Sequence, residues 1–407
     1  MKNAILKFLV ICLMTQSYAV SSFAQMATPL DLDKLQAIVE SGELSRRLAK
    51  GEITQDQFED QYNDYMDLME SGGETALIKP SPDRVFETDA DAALALNEKI
   101  NSIAAATSIG ELQKYAEKQV AGYGNWTFQF IYIGNNGTRK ILTGRDINTP
   151  VRPASTMKLF STNLAYDLGT YDQTNISDLL KYSRNGKADK ALKSITSAKK
   201  YLDFKIPADS YLKDPALLNY RMLDRSEKYK KGKTTKYVTQ VIDSKVLKGC
   251  AIMKDAYKSL EDSSKFHPVN GSGLQDSDKD QDIHENKVTA RLETALLEKI
   301  LNNKEKYDKY KMFLPTPGGE GTLMARFKEG RKLAKIYAKT GTLGTTKSLA
   351  GFVETAKGTI VFSIIGDRLK GVGVKEAMKV QIENVVFAHI KYMKAQEAKV
   401  VTPAREK

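Results

Sequence analysis

Residues 333–366 read LAKIYAKTGTLGTTKSLAGFVETAKGTIVFSIIG. Three short runs rich in β-branched and aromatic residues, 333–340, 348–355 and 359–366, are divided by Gly-containing or Lys-Gly turns. Runs of that length between such turns read as antiparallel strands. Far upstream, residues 126–133 have the same character and 139–143 mirror them across Asn135-Asn136-Gly137. Asn-Gly supplies the positive φ angles of a tight hairpin. Helical patterning dominates from Ser155 to about Lys311, and an amphipathic helix is expected over 374–393. Two strands early, three late and helices between and after predict an α/β fold. Its expected form is one five-stranded antiparallel sheet covered by helices, with a helical subdomain inserted in the middle. There are no internal repeats.

The chain opens as an export signal. Lys2 and Lys7 give a positive start, an apolar run over residues 5–14 comes next, and Ser22-Phe23-Ala24 places small residues where a signal peptidase reads. The run is short for a bilayer span, so cleavage after Ala24 and a periplasmic or secreted destination are expected. Cys12 leaves with the signal, and Cys250 then has no internal disulfide partner. Stability must come from the core, and Cys250 reads as a small buried residue. Residues 25–100 form a helical N-terminal extension with apolar faces at Leu35, Ile38 and Val39 and at Phe58, Tyr62, Met66 and Leu68. The main domain is expected over 101–395, with a polar tail over 396–407.

The formal charge of +12 suits attraction to an anionic surface, although spread lysines that keep a protein soluble are the simpler reading. No nucleic-acid module is present. His267, His284 and His389 lack zinc-peptidase spacing, and Gly318-Gly319-Glu320-Gly321 lacks the Lys-Ser/Thr of a phosphate loop. Asp276-Ser277-Asp278-Lys279-Asp280-Gln281-Asp282 has the aspartate spacing of a calcium loop. Gln281 replaces the glycine of position six and Lys287 the glutamate of position twelve, so a solvated loop is expected and no metal site.

Three short motifs carry chemistry. In Ser155-Thr156-Met157-Lys158 the serine and lysine stand three apart, on one face of a helix that Pro153 would start. A serine hydroxyl needs a base beside it, and a lysine serves only when burial or a second cation lowers its pKa. Ser197-Ala198-Lys199-Lys200 fits the same spacing, so the motif alone is weak. Ser183-Arg184-Asn185 comes after a helix and can point a hydroxyl and an amide into one cleft. Ser161-Thr162-Asn163 has the same pattern, but in an unbroken helix its two side chains diverge by about 200°. Lys339-Thr340-Gly341 is expected to end a strand, where a lysine and a threonine suit a carboxylate and the glycine admits a substrate backbone. Lys339 would also be the second cation beside Lys158.

Together, Arg152-Pro153-Ala154-Ser155-Thr156-Met157-Lys158-Leu159, Lys181-Tyr182-Ser183-Arg184-Asn185 and Lys339-Thr340-Gly341-Thr342-Leu343 resemble the active-site motifs of the D-alanyl-D-alanine carboxypeptidases/endopeptidases of the penicillin-binding protein 4 (DacB) type, the S13 peptidases. Asn270-Gly271-Ser272-Gly273-Leu274, the run over 314–326 with Gly321-Thr322-Leu323, and Leu349-Ala350-Gly351-Phe352 support the resemblance, which covers about residues 103–390. It implies a penicillin-recognising serine transpeptidase/β-lactamase-like fold. It also implies that Ser155 attacks the penultimate D-Ala carbonyl with Lys158 as base, and that Ser183 and Asn185 move protons and position substrate. Lys339, Thr340, Gly341 and Thr342 would bind substrate, with the N–H groups of Ser155 and Thr342 as the oxyanion hole. Peptidoglycan peptides and β-lactam antibiotics are the implied partners, and no metal or organic cofactor is required.

The chain departs from that family between Lys158 and Ser183, where only about two dozen residues stand in place of large inserted domains. A more open cleft is therefore expected, one that admits cross-linked peptides as well as terminal D-Ala. A serine β-lactamase and a catalytically inactive wall-binding protein of the same fold are the alternative readings. An open endopeptidase would also need restraint, by timed expression, by export to another target, or by an inhibitor or regulatory protein.

Overall fold

The computed structural model describes residues 106–121, 124–217, 221–224, 238–274, 284–324, 326–327, 334–369 and 374–399. The export segment, the N-terminal extension over 25–100, the aspartate-rich segment 276–282 and residues 400–407 lie outside the described residues.

In chain order the elements are α1 (Ile109–Val120), β1 (Asn125–Gly134), β2 (Arg139–Arg145), a 3-10 turn over Ala154–Met157, α2 (Lys158–Asp167), α3 (Gln173–Tyr182) and α4 (Asn185–Ile195). Then come β3 (Arg221–Asp224), β4 (Val238–Val241), α5 (Ser244–Ala256), α6 (Ala290–Leu301) and α7 (Lys304–Tyr310). Three strands and a helix close the order: β5 (Lys335–Leu343), β6 (Thr346–Glu354), β7 (Gly358–Asp367) and α8 (Val374–Lys399). Five helix starts carry the side chains that stop a helix from fraying. Ser108, Asp172, Asp243, Thr289 and Asn303 each accept a hydrogen bond from a backbone N–H of the first turn.

The main sheet runs β2-β1-β7-β6-β5 and every neighbour is antiparallel. It is the five-stranded sheet expected from the sequence, with two early strands, three late strands and a helical region inserted between. Its central strand, β7, is buried along its whole length, covered on both faces, and its polar Ser363 and Asp367 are satisfied by Glu293 and Arg152. Ile360, Phe362 and Ile364 face the layer made by α1 and α8, together with Trp126, Phe128 and Phe130 of β1. Val361 and Ile365 face the helical layer that holds α2 to α6, together with Ala350 and Phe352 of β6. Cys250 is fully buried in that layer.

Two sequence expectations need correction. The middle region is not helical throughout, since β3 and β4 pair as a small antiparallel ribbon. The final helix runs to Lys399, past the expected end at residue 393 and into the stretch assigned to a polar tail. Its inward residues keep the helix docked: Val386, Phe387 and Ile390 are buried, and Tyr392 and Met393 nearly so. His389 stacks on Phe130 at 3.7 Å, bonds Val385 O through Nδ1 and Thr143 Oγ1 through Nε2. Burial pushes its pKa down to about 3, which keeps it a neutral core residue.

Glu293 of α6 faces the sheet with no solvent exposure, and its Oε2 accepts from Ser363 Oγ at 2.6 Å. Burial raises its pKa from 4.5 to about 7, against the lowering pull of Ser363 and Thr156. The folded protein therefore holds this proton more tightly than the unfolded chain does. The contribution to stability is complete below about 4.5 and is lost as pH rises through about 7. Glu293→Gln keeps the hydrogen-bonding outline without titrating. The stability of wild type relative to Glu293→Gln should fall between about pH 4.5 and 8, by on the order of 3 kcal/mol. Melts across that range check it, and a difference independent of pH would refute the assignment.

Candidate active site

The site is assembled from three pieces of chain, and the first is the turn that carries Ser155. Arg152 enters it as a nearly buried guanidinium, with Nε 2.7 Å from Asp367 Oδ1 and Nη2 2.8 Å from Thr345 Oγ1. Glu285 lies 3.6 Å away on the same cation. The turn is thereby tied to the end of β7 and to the β5–β6 connection. Ala154 then takes a left-handed conformation, φ 52°. A non-glycine residue in that region carries strain that the surroundings must hold. Here Gly273, φ 81°, packs so closely on Ala154 that an added Cβ would overlap its carbonyl oxygen. Ser155 lies in the 3-10 turn, and Lys158 is the first residue of α2.

Lys158 has no solvent exposure, and its Nζ makes short contacts with Ser155 Oγ at 2.7 Å, Asn185 Oδ1 at 2.8 Å and the Ser272 carbonyl at 2.8 Å. The amide oxygen and the carbonyl can only accept. The amine donates to all three, which holds its nitrogen within hydrogen-bond reach of the Ser155 hydroxyl.

The second piece is the junction of α3 and α4. Ser183 ends α3 in a left-handed conformation, φ 59°, which reverses the chain so that Asn185 starts α4 beside Lys158. Gly321 packs on the carbonyl of Lys181, and Thr322 N–H donates to that carbonyl at 3.0 Å. The third piece is β5. Lys339 is fully buried, and its Nζ donates to Ser183 Oγ and to the Thr340 carbonyl, both at 2.8 Å. Gly341 lies against the Ser155 turn, where a Cβ would stand 2.8 Å from Pro153 O and 3.0 Å from Ser155 N. Thr340 Oγ1 bonds Thr322 Oγ1 at 2.8 Å. Lys347, nearly buried on β6, donates to Thr342 Oγ1 at 2.9 Å.

The structure thus joins Lys158 to Ser155 and Asn185, joins Lys339 to Ser183 and sets Gly341 against the Ser155 turn, while the side chains of Thr340 and Thr342 bond Thr322 and Lys347 instead. Two local readings change. Ser155 sits in a 3-10 turn ahead of the helix, and Lys339-Thr340-Gly341 lies within β5, which runs on to Leu343. The rival Ser197 bonds along its own turn to Ser194 O and is exposed. Ser161, Thr162 and Asn163 are buried in packing contacts with Gly271 O, Tyr310 and Tyr257. Residues 159–182 are filled by α2, a turn and α3.

Sequence reasoning missed how the 270–273 loop is held. Asn270 Oδ1 accepts from Ser272 N, Ser272 Oγ and Gly273 N, at 3.0, 3.0 and 2.8 Å. Asp189 of α4 accepts from Gly271 N at 2.9 Å, and this aims the Ser272 carbonyl at Lys158. Burial pushes the Asp189 pKa up to about 6, with Gly271 N–H and Lys158 pulling it down. The glycines on either side of Ser272 were the available signal.

Residues 262–389 match the D-Ala-D-Ala carboxypeptidase 3 (S13) family. The resemblance is to the S13 peptidases. The matched stretch, about a third of the chain, holds the 270–273 loop and all of β5 to β7. No curated protein matches the chain. Among solved structures, a β-lactamase from Sphaerobacter thermophilus DSM 20745 is 13% identical over 72% of this chain and 98% of its own, with a TM-score of 0.38. The D-alanyl-D-alanine carboxypeptidase from Mycobacterium tuberculosis H37Rv is 14% identical over 70% and 93%, at 0.39. Penicillin binding protein 4 (dacB) from Haemophilus influenzae is 19% identical over 54% of this chain, at 0.36, and the chain spans 39% of it. Likenesses this distant assign neither substrate nor mechanism.

The close approach of Gly273 to Ala154 gives a direct check. Gly273→Ala places a Cβ into backbone and should cost roughly 3 kcal/mol or more. Gly137→Ala, also at positive φ but with nothing within 4 Å of the added Cβ, should cost about 1–2 kcal/mol. Denaturant melts of the two variants would separate packing from backbone strain, and equal losses would contradict the contact.

Proposed function

We propose that the protein is an exported serine D,D-peptidase of peptidoglycan, cleaved after Ala24, that forms an acyl-enzyme on Ser155. The observation that carries this reading is the arrangement around Lys158. Its buried amine lies 2.7 Å from Ser155 Oγ and is anchored by Asn185 Oδ1 and the Ser272 carbonyl, so that once deprotonated it stands within reach of the hydroxyl proton. The Ser155 hydroxyl attacks the carbonyl of the penultimate D-Ala, and its proton passes to Lys158. The N–H groups of Ser155 and Thr342 hold the oxyanion. Protonation of the leaving amine runs through Ser183, whose hydroxyl is held by Lys339. Water then enters by the reverse route and frees the acyl peptide. A β-lactam, whose strained amide occupies the same position, acylates Ser155.

The short connection between Lys158 and Ser183 supports a substrate wider than a free peptide end. With α2 and α3 alone between the two motifs, no inserted domain stands in that connection. Cross-linked muropeptides are therefore proposed as substrates alongside D-Ala-D-Ala termini. An enzyme of that breadth needs restraint, and an inhibitor or regulatory protein in the same compartment would supply it.

Purified cross-linked and pentapeptide muropeptides should be converted to monomers and tetrapeptides, read by mass spectrometry. Ser155→Ala should lose at least about a thousandfold in rate and take up no penicillin adduct. Unchanged digestion by Ser155→Ala would refute the serine mechanism. Release of terminal alanine alone would remove the cross-link substrate.

A further inference from the structure

The 270–273 loop, which offers the Ser272 carbonyl to Lys158, is held from several sides. Asn286 Oδ1 accepts from Val269 N at 2.8 Å and from Asn270 N at 3.1 Å, and Asn270 Oδ1 accepts within the loop. Ser161 Oγ donates to Gly271 O at 3.0 Å. Gly271 lies so close to α4 that an added Cβ would stand 2.7 Å from Ala188 O, and this approach brings its N–H to Asp189 Oδ1 at 2.9 Å. Of these four side chains Asp189 alone can carry a charge. Neutral amides do the same work at Asn270 and Asn286, so accepting one N–H does not by itself call for a carboxylate. Asp189 is 6% exposed, and a charge placed there costs desolvation that an amide avoids.

What the carboxylate adds is a field. Four groups feel it or act on it: Lys158 of α2, Lys193 one turn along α4, Asp243 at the start of α5, and Cys250 within α5. Lys193 is paired with Asp243, so those two charges largely cancel. Burial and then Asp189 push the Cys250 thiol well up, which keeps it neutral. Lys158 pulls the Asp189 carboxyl toward its ionised form. The interaction is mutual, so ionised Asp189 favours the ammonium form of Lys158. From the sheet side Lys339 faces the site, held on Ser183 Oγ. An ammonium has no lone pair with which to take the Ser155 proton, so Lys158 must first lose a proton of its own.

Resting on the peptidase reading, we infer that Asp189 is a positioning residue with two separable effects on the base. Its oxygen holds the loop so that the Ser272 carbonyl meets Lys158, and its charge keeps Lys158 protonated, which sets the pH range over which Ser155 is activated. It acts through Lys158 and the loop and touches neither Ser155 nor the acyl donor.

The test is the rate at which benzylpenicillin acylates Ser155, read by intact mass between about pH 4.5 and 9.5. Asp189→Asn keeps an acceptor for Gly271 N–H and carries no charge. Burial holds the wild-type carboxyl protonated up to about pH 6, so below that the two proteins should run together. Above it only wild type carries the anion, and Asp189→Asn should acylate about 3–10-fold faster. The difference should close at high pH, where Lys158 is neutral in both. Asp189→Ala loses the acceptor as well and should be about 10-fold slower than Asp189→Asn throughout. A ratio of Asp189→Asn to wild type that does not vary with pH would make Asp189 merely structural and overturn the inference, as would a slower Asp189→Asn. If Asp189→Asn does not fold, Glu293→Gln, freed of the carboxyl that titrates near 7, must still show a bend in its profile near pH 6. A single smooth limb there would overturn the inference. If folded wild type is not acylated at any pH, the peptidase reading itself falls and takes this assignment with it, an outcome distinct from profiles that fail to diverge.

Discussion

A primary amine with no solvent exposure must find its hydrogen-bond partners within the protein, and the site contains two such amines, Lys158 and Lys339. Leaving either without partners would cost several kcal/mol. Lys158 is satisfied only when three separate pieces of chain converge on it: the Ser155 turn, the start of α4 at Asn185, and the 270–273 loop. Lys339 in turn needs the end of α3 at Ser183. The helical layer and the sheet are therefore bound to each other through the groups to which the proposed chemistry is assigned. Under that proposal, folding and catalysis make the same demand on these residues.

That demand explains where glycine is required. At Gly273 the 270–273 loop lies against the strained carbonyl of Ala154, and at Gly341 the strand lies against Pro153 and Ser155. A side chain at Gly273 would push the Ser155 turn off its neighbour, and one at Gly341 would meet Ser348 Oγ as well as that turn. The strain at Ala154 is held on one side by these contacts and on the other by Arg152, clamped to Asp367 and Thr345. Removing one partner of such a buried ion pair leaves an uncompensated charge, a loss on the order of 3–5 kcal/mol. The turn is therefore held rigid from two directions before any substrate arrives.

The sheet was legible because its strands are rich in β-branched and aromatic residues and are bounded by Gly and Asn turns, a pattern with few competing readings. β3 and β4 were not: at four residues each they lie below the length at which a period of two separates from a helical one. Ser155, Lys158, Ser183, Asn185, Lys339 and Thr340 were legible because chemistry restricts both their type and their spacing. The Ser272 carbonyl was not, since every residue has a carbonyl and only the fold decides which one points inward. Asp189 and Lys347 were hidden for a related reason. Each stands alone in sequence, and its meaning comes from a partner across a helix–loop contact or a strand pair.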